Sequence, residues 1–274
     1  MKQICVVTGG GSGMGLEAAK ILGKDHQIIL VGRTITKLEK AVVELRNMGI
    51  EAEAYSCSVT DKESVQRLAE YAASLGTVRT VIHSAGVSPK MTSPDQIFEI
   101  NAIGTINIDQ AFAPIIPTGG CILNVSSMSA YMISDSMVPK QMYMVALDDA
   151  DAFKVAGQQY LEKVPEDKKC GMAYTISKNF VIWYTSKMAL QYGPDIRIVS
   201  ISPGTFDTPM QDVEGDGATA YGKQGALKRV GDPTEIAKMM AFMVSAEASY
   251  LTGVDVLYDG GAIAAFNEKM ENRA

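Results

Sequence analysis

The chain has 274 residues, 47% of them hydrophobic and 20% charged, and its formal net charge at pH 7 is -6. This length allows one large domain with an extensive buried core, and the acidic balance offers no basic surface to nucleic acid or an anionic membrane. Because the chain has only two histidines and four scattered cysteines, we expect no metal site, no Ser-His-Asp relay, and reduced, mostly buried thiols.

The N-terminal apolar segment is expected to be a strand rather than a leader peptide. Residues 3–7 run directly into a glycine-rich turn, without a basic start or a small-residue cleavage site. No apolar run approaches the roughly 20 residues of a membrane span. We therefore predict a cytoplasmic protein without a membrane partner.

Short apolar segments alternate with amphipathic helical segments along the chain. The predicted strands cover residues 3–7, 27–31, 53–56, 80–84, 120–125, 197–202 and 255–257. The predicted helices cover residues 13–22, 36–48, 62–74, 94–115, 174–191 and 234–244. This alternation predicts an α/β fold of the Rossmann type, a doubly wound, parallel, seven-stranded sheet with helices on both faces. We expect residues 1–274 to form a single domain.

A glycine-rich turn follows the first predicted strand, and it reads Thr8-Gly9-Gly10-Gly11-Ser12-Gly13-Met14-Gly15. Glycines permit positive φ and remove the Cβ atoms that would keep a pyrophosphate away from backbone N–H groups and a helix N-terminus. The turn therefore predicts dinucleotide binding, although such a cluster alone also suits an ordinary strand-to-helix turn.

The end of the second predicted strand indicates which dinucleotide is preferred. It reads Gly32-Arg33-Thr34, without the carboxylate that commonly accepts the adenosine ribose hydroxyls. Arg33 offers a 2′-phosphate a planar pair of charge-assisted donors, unless it is a solvated surface side chain. We predict NADP(H) as the preferred cofactor and NAD(H) as a second one.

A tyrosine and a lysine are spaced for proton transfer. Tyr174 precedes Lys178 by four residues at the predicted start of a helix, so both side chains fall on one face. A tyrosine readily protonates an alkoxide, but it is a poor base until its phenolate is stabilised. We expect the Lys178 ammonium to bring the pKa of Tyr174 toward neutrality, although this spacing alone often marks an exposed pair.

The spacing of Gly9, Gly13 and Gly15, together with Tyr174 and Lys178, resembles the short-chain dehydrogenase/reductase family. Motifs resembling the family occur in the expected order over nearly the whole chain. The resemblance implies NAD(P)-dependent interconversion of a secondary alcohol and a ketone. In the reductive direction Tyr174 would protonate the oxygen while the nicotinamide delivers hydride to carbon.

The same resemblance implies further site residues. Ser127 would hydrogen-bond the substrate oxygen, Ser126 would point to the other side, and Asn101 would hold a water that connects Lys178 to solvent. Tyr174 and Lys178 would also contact the cofactor. The other implied cofactor residues are Gly9, Ser12, Gly13, Met14, Gly15, Arg33, Thr34, Ser58, Val59, Ser84, Ala85, Gly86, Pro203, Gly204 and Thr208.

The chain departs from the family pattern at two short motifs. His83 and Ser84 replace the usual asparagine pair before Ala85, and we expect His83 to be a hydrogen-bonded structural residue. Ser58 replaces the usual aspartate beside the adenine ring, which could weaken cofactor binding slightly.

The largest departure is an insertion at about residues 131–170. Ser127 and Tyr174 stand 47 residues apart, where the family normally has about a dozen. We expect the insertion beside the substrate pocket or beside the helix faces that family members use to form dimers and tetramers. The insertion is rich in methionine and tyrosine, with Met128, Tyr131, Met132, Met137, Met142, Tyr143 and Met144. This composition suits the binding of a bulky ligand and, equally, the core of a small subdomain.

An acidic cluster in the insertion, Asp148, Asp149 and Asp151, is expected on a solvated helix face near a helix N-terminus. Some hydroxysteroid dehydrogenases and carbonyl reductases of the family carry an insertion at this place. The leading prediction is therefore a homo-oligomeric hydroxysteroid dehydrogenase acting on a bulky, apolar small molecule such as a steroid or bile acid. The alternatives are a general carbonyl reductase, a ketoacyl reductase, and an NADP(H) sensor without turnover, against which the intact Tyr174 and Lys178 argue.

Overall fold

The computed structural model describes residues 2–272, and a parallel sheet of seven strands forms its centre. The strands are β1 (Gln3–Thr8), β2 (Gln27–Gly32), β3 (Ala52–Ser56), β4 (Thr77–His83), β5 (Cys121–Val125), β6 (Arg197–Pro203) and β7 (Asp255–Tyr258). Their order is β3-β2-β1-β4-β5-β6-β7, and every neighbouring pair is parallel. The order reverses between β1 and β4, as in Rossmann-type sheets, which confirms the predicted fold class.

Helices cover both faces of the sheet. They are α1 (Gly13–Leu22), α2 (Ile35–Asn47), α3 (Lys62–Leu75), α4 (Pro94–Phe98), α5 (Gly104–Phe112), α6 (Lys140–Val145), α7 (Ala150–Leu161), α8 (Lys169–Tyr192), α9 (Pro209–Glu214), α10 (Asp216–Gln224), α11 (Pro233–Val244) and α12 (Ala262–Glu271). Within residues 2–272, no helix combines the length and the apolar character needed to cross a bilayer.

The core has two apolar layers, one on each face of the sheet. Val6 of β1 packs in the layer of α3, α5 and α8, whereas Cys5 and Val7 pack in the layer of α1, α2 and α11. A central parallel strand is covered on both faces, which explains its continuous apolar sequence. As predicted, the cysteines are unpaired and mostly buried, and burial raises the pKa of the Cys121 thiol to about 12.

Two predicted helices differ from the structure by more than one residue at an end or in continuity. The helix expected over residues 94–115 is interrupted by a π-helical turn at Glu99–Ile103 and ends in a short 3-10 turn. Helix α8 begins at Lys169, before the predicted start at residue 174. Gly171, a weak helix former, lies in its first turn and obscures the true start.

The insertion is folded rather than a long loop. Asp149 caps α7 by accepting from the backbone N–H groups of Asp151 and Ala152 at 2.9 and 3.0 Å, which confirms the acidic helix N-terminus. Met142 and Tyr143 are buried, but they pack in the main core rather than in a separate core of a small subdomain.

Helix α7 of the insertion packs tightly on α4 and α8. The ring centroid of Phe153 lies 5.7 Å from that of Phe98 and 5.4 Å from that of Phe180. A Cβ added at Gly157 would lie 2.7 Å from the Phe98 ring, so only glycine permits this approach. Gln158 Nε2 also donates to Asp95 Oδ2 at 2.9 Å. The insertion therefore covers the outer surfaces of α4 and α8.

Candidate active site

The glycine-rich turn is fixed by backbone conformation and by close approach. Gly9 and Gly13 have φ values of +66° and +57°. A Cβ at Gly9 would lie 2.9 Å from the Ala85 backbone nitrogen, and one at Gly15 would lie 2.5 Å from Ser84 Oγ. The turn consequently sits directly against the segment that follows β4, where side chains would hold the two apart.

A cavity of about 520 Å³ opens where the order of the sheet reverses; we call it the glycine-turn cavity. Ligands of doubly wound sheets bind at this position, outside the carboxyl ends of the strands. The predicted cofactor residues that line it are Gly9, Ser12, Gly13, Met14, Gly15, Arg33, Thr34, Ser58, Val59, Ser84, Ala85, Gly86 and Thr208. Bare glycine backbone and hydroxyl side chains fit a dinucleotide pyrophosphate.

Four predicted cofactor residues lie outside this lining, among the described residues. Pro203 and Gly204 end β6, and a Cβ at Gly204 would lie 2.6 Å from Asp259 Cα, so this glycine serves close packing. Tyr174 and Lys178 belong to the neighbouring polar cluster described below.

The sequence analysis missed two parts of the cavity wall. Lys37, in the first turn of α2, lines the cavity beside Arg33 and supplies a second cation there. The other part is α9, whose Met210 and Val213 lie on the wall with Thr208. The dipeptide Thr208-Pro209 was a signal for this short helix, because proline is favoured at the first helical position.

The predicted catalytic residues come together at the ends of β5 and α8. The Ser127 side chain lies beside the Tyr174 hydroxyl, where it favours the ionised form of the tyrosine. Lys178 Nζ lies 6.0 Å from the centroid of the Tyr174 ring and donates to the Val125 carbonyl oxygen at 2.9 Å. The fold thus joins residues that are 47 positions apart in the sequence.

Asn101 stands in the π-helical turn beside this cluster. Its Nδ2 donates to the Val87 carbonyl oxygen at 3.0 Å and to Ser177 Oγ at 3.2 Å, and its Oδ1 accepts from the Val87 N–H at 2.9 Å. A Cβ at Gly86 would lie 3.1 Å from Asn101 Oδ1 and 3.2 Å from Lys178 Nζ. The bare Gly86 therefore lets Asn101 and Lys178 approach each other, and π-turns often occur at functional sites.

Burial controls the protonation of the cluster. It lowers the pKa of Lys178 to about 8. It also raises the pKa of Tyr174 above its ordinary value; the hydrogen bond from Ser127 opposes this, and the Glu214 carboxylate adds to it. The expectation that Lys178 lowers the pKa of Tyr174 is therefore wrong for the protein alone, since desolvation dominates. A raised pKa keeps Tyr174 protonated at neutral pH, which suits proton donation.

Two neighbouring polar residues have structural contacts. Ser126 Oγ donates to the Lys178 carbonyl oxygen at 2.7 Å and thereby joins β5 to α8. His83 Nδ1 lies 2.8 Å from Thr8 Oγ1, and burial, followed by the charge of Lys178, lowers the pKa of His83 to about 3. His83 is consequently neutral and hydrogen-bonded, as predicted.

A second cavity of about 680 Å³ is partly walled by the insertion; we call it the insertion cavity. Its lining is mainly apolar, with charged groups at the rim: Pro89, Lys90, Met132, Ile133, Met137, Asp167, Lys168, Cys170, Gly171, Met172, Thr175 and Glu214. Thr175 directly follows Tyr174 in the chain. The insertion thus lines a cavity together with Thr175 and covers the surfaces of α4 and α8; that this cavity binds the substrate, or that the family's oligomer faces lie here, stays a prediction.

Comparison with known proteins places the chain in a class of NAD(P)-dependent oxidoreductases. The family described as short chain dehydrogenase matches residues 3–139, and that described as enoyl-(acyl carrier protein) reductase matches residues 161–262. The short-chain dehydrogenase/reductase bsc3 of Alternaria brassicicola is 30% identical over 272 residues, which cover 96% of this chain and 97% of that protein. The chain belongs to the short-chain dehydrogenase/reductase family.

Other relatives share the fold over nearly the whole chain. The 3-oxoacyl-[acyl-carrier-protein] reductase FabG of Thermotoga maritima is 25% identical, with 95% of this chain and 98% of that protein covered. A short-chain dehydrogenase of Burkholderia cenocepacia, solved in complex with NADP, superposes with a TM-score of 0.74 at 23% identity, covering 94% of this chain and 96% of that chain. As a family member, the chain is an oxidoreductase that binds a nicotinamide dinucleotide and a small-molecule substrate.

Proposed function

We propose that this oxidoreductase interconverts a secondary alcohol and a ketone with NADP(H), using Ser127, Tyr174 and Lys178. The observation that carries the proposal is the grouping of three side chains: Ser127 lies beside the Tyr174 hydroxyl, and the buried Lys178 Nζ lies 6.0 Å from the centroid of the Tyr174 ring. Gly86, at which an added Cβ would lie 3.2 Å from Lys178 Nζ, lines the glycine-turn cavity, and Thr175, the chain neighbour of Tyr174, lines the insertion cavity. The arrangement suits proton transfer to a substrate oxygen.

Residues of the chain transfer the proton to the substrate oxygen and orient the substrate. Ser127 donates a hydrogen bond to the substrate oxygen, and Tyr174, protonated at neutral pH, donates its proton to that oxygen during reduction. A bound nicotinamide supplies or accepts the hydride. Asn101 holds the backbone of Val87 and thereby keeps the π-helical turn beside Lys178. Oxidation of an alcohol requires the reverse proton transfer, to the Tyr174 phenolate.

The preference for NADP(H) is supported by the charge at the end of β2. Arg33 and Lys37 both line the glycine-turn cavity there, and no carboxylate lies among Val31, Gly32, Arg33 and Thr34. A 2′-phosphate would gain two cationic partners, whereas a ribose hydroxyl would find no acidic acceptor at this strand end.

The substrate that we propose is bulky and weakly polar, such as a steroid or a bile acid. The insertion cavity supports this because Met132, Ile133, Met137 and Met172 give it a flexible apolar wall. A general carbonyl reductase remains the alternative with smaller substrates. A ketoacyl reductase is favoured only by the similarity to the Thermotoga maritima protein, and the net charge of -6 does not suit an acidic carrier.

The decisive experiment is a comparison of nucleotide oxidation rates with purified protein. NADPH and NADH would each be tested against ketosteroids, keto-bile acids, quinones, ketoesters and a ketoacyl thioester. We expect turnover with NADPH and the steroidal ketones. Turnover confined to small ketones or to the thioester would contradict the proposed substrate class, and cofactor binding without turnover of any substrate would support a sensor instead.

We also propose that any homo-oligomer uses surfaces other than the outer faces of α4 and α8. Phe153 and Gly157 of α7 already occupy those faces within one chain. A cytoplasmic location stays a prediction from the sequence.

A further inference from the structure

A carboxyl group is enclosed between three elements of the core. Asp109 of α5 has no exposed surface, and the same holds for Asn124 of β5 and Thr185 of α8. Asn124 Nδ2 donates to Asp109 Oδ2 at 2.7 Å and lies 3.5 Å from Thr185 Oγ1. These side chains form a joint between α5, β5 and α8.

The three elements of this joint also carry the proposed catalytic residues. Asn101 stands in the π-helical turn that leads into α5, and Ser127 follows the end of β5 by two residues. Tyr174 and Lys178 lie in α8. A change at the joint therefore acts on every element of the site, without any contact between Asp109 and a substrate.

The unpaired atoms of the joint indicate its protonation state. Among the described residues, Asp109 Oδ1 and Asn124 Oδ1 are buried and have no hydrogen-bond partner. If Asp109 is ionised, Asp109 Oδ1 and Asn124 Oδ1 are both hydrogen-bond acceptors, so they cannot hydrogen-bond to each other. A protonated carboxyl supplies one O–H donor, which is the group that Asn124 Oδ1 lacks. Acid and amide can then form two hydrogen bonds, one in each direction.

The titratable groups facing the joint are uncharged at neutral pH. From β4, His83 lies beside Asn124 in the sheet register, and its pKa is lowered to about 3. From α8, the hydroxyls of Tyr184 and Tyr192 are also neutral, because burial raises the pKa of both. Burial likewise raises the pKa of Asp109 to about 8, and the hydrogen bond from Asn124 opposes this only in part.

We propose that Asp109 is a protonated positioning residue that donates from Oδ1 to Asn124 Oδ1 and holds α5, β5 and α8 in the arrangement needed for turnover. Ionisation releases the proton to solvent and leaves the joint with the single bond from Asn124 Nδ2. The effect on turnover rests on the function proposed above, whereas the effect on stability does not.

The pH dependence of stability follows from the direction in which the pKa of Asp109 is shifted. In the unfolded chain an aspartate has a pKa of about 3.9, so the folded protein holds the proton of Asp109 more tightly. Its stabilising contribution is complete below that pKa and is lost as pH rises through about 8. Stability should therefore fall toward alkaline pH on account of Asp109.

The test compares thermal unfolding of the wild type, Asp109→Asn and the exposed control Asp148→Asn at pH 6.5 and 8.5. Asparagine keeps the shape of the acid and can offer a donor at every pH. We expect the midpoint of the wild type and of the control to fall by about 5 °C more than that of Asp109→Asn. Equal falls in all three proteins would overturn the proposal.

Two further measurements separate this proposal from the proposed function. The ratio of wild-type kcat to Asp109→Asn kcat should fall about fourfold from pH 6.5 to 8.5, the decrease in the protonated fraction of a group with a pKa of about 8, with little change in KM. If Asp109→Asn does not fold, the infrared spectrum of the wild type at pH 7 decides, because only a protonated carboxyl gives the carbonyl stretch of a carboxylic acid. Its absence would overturn the proposal even if no substrate were turned over.

Discussion

The glycine-turn cavity and the insertion cavity are formed in different ways. The first depends on backbone: positive φ at Gly9 and Gly13, and an approach at Gly15 that no Cβ would allow. The second depends on side chains, mainly the methionines of the insertion and of α8. Backbone constraints can be recognised in a sequence because they require glycine, whereas the packing of flexible side chains cannot be recognised from the sequence.

The largest expected effect comes from Tyr174. Tyr174→Phe removes the proton donor while keeping the ring, so kcat should fall about 10³-fold. The affinity for NADPH, measured by nucleotide fluorescence, should stay unchanged because Tyr174 does not line the glycine-turn cavity. Retained turnover would contradict the proposed mechanism.

Replacing a glycine of the turn by alanine should affect only the glycine-turn cavity. Gly9→Ala places a Cβ 2.9 Å from the Ala85 nitrogen at a φ of +66°. Strain of about 1–3 kcal/mol should weaken NADPH binding by roughly 10- to 100-fold. Gly217→Ala, where an added Cβ meets nothing within 4 Å, is the control. Equal NADPH dissociation constants for the two variants would show that the turn does not depend on glycine at this position.

The charge at the end of β2 should separate the two dinucleotides. Arg33→Ala removes one cationic partner of a 2′-phosphate, so the KM for NADPH should rise about 10-fold while that for NADH stays within twofold, roughly. Lys37→Ala should give a smaller change in the same direction. An unchanged KM for NADPH in Arg33→Ala would refute the cofactor preference.

The smallest expected effect is in the insertion cavity. Met137→Ala removes a half-exposed apolar side chain from its wall and should raise the KM for a bulky ketone about threefold, without altering the KM for NADPH. Met144→Ala is the matched control, because this side chain is similarly exposed and lies outside the lining. If the KM for the bulky ketone is the same in both variants, the insertion has only a structural role.

These contrasts explain what the sequence allowed us to predict. The order of strands and helices, the glycine turn and the pairing of Tyr174 with Lys178 depend on local patterns, and each is found in the structure. Lys37 was missed because it belongs to a helix rather than to the strand end. The raised pKa of Tyr174 was missed because it depends on burial by residues distant in the sequence.

The insertion was the hardest part to predict, and the reason is physical. Tyr143 and Phe153 pack into a core built by α4 and α8, so their partners lie far away in the chain. A methionine-rich segment has the same composition whether it packs inward, as Met142 does, or lines a cavity, as Met137 does. Only the three-dimensional arrangement distinguishes these two interpretations.

The contact between Gly157 and Phe98 has a consequence for protein engineering. Phe98 is the last residue of α4, and the π-helical turn that contains Asn101 follows it directly. A graft of residues 131–170 into a relative would therefore need a matching aromatic residue at the end of the recipient's α4. Without it, the transplanted segment would lose its packing contact next to the turn that carries the asparagine. The insertion and that turn should therefore be transferred together.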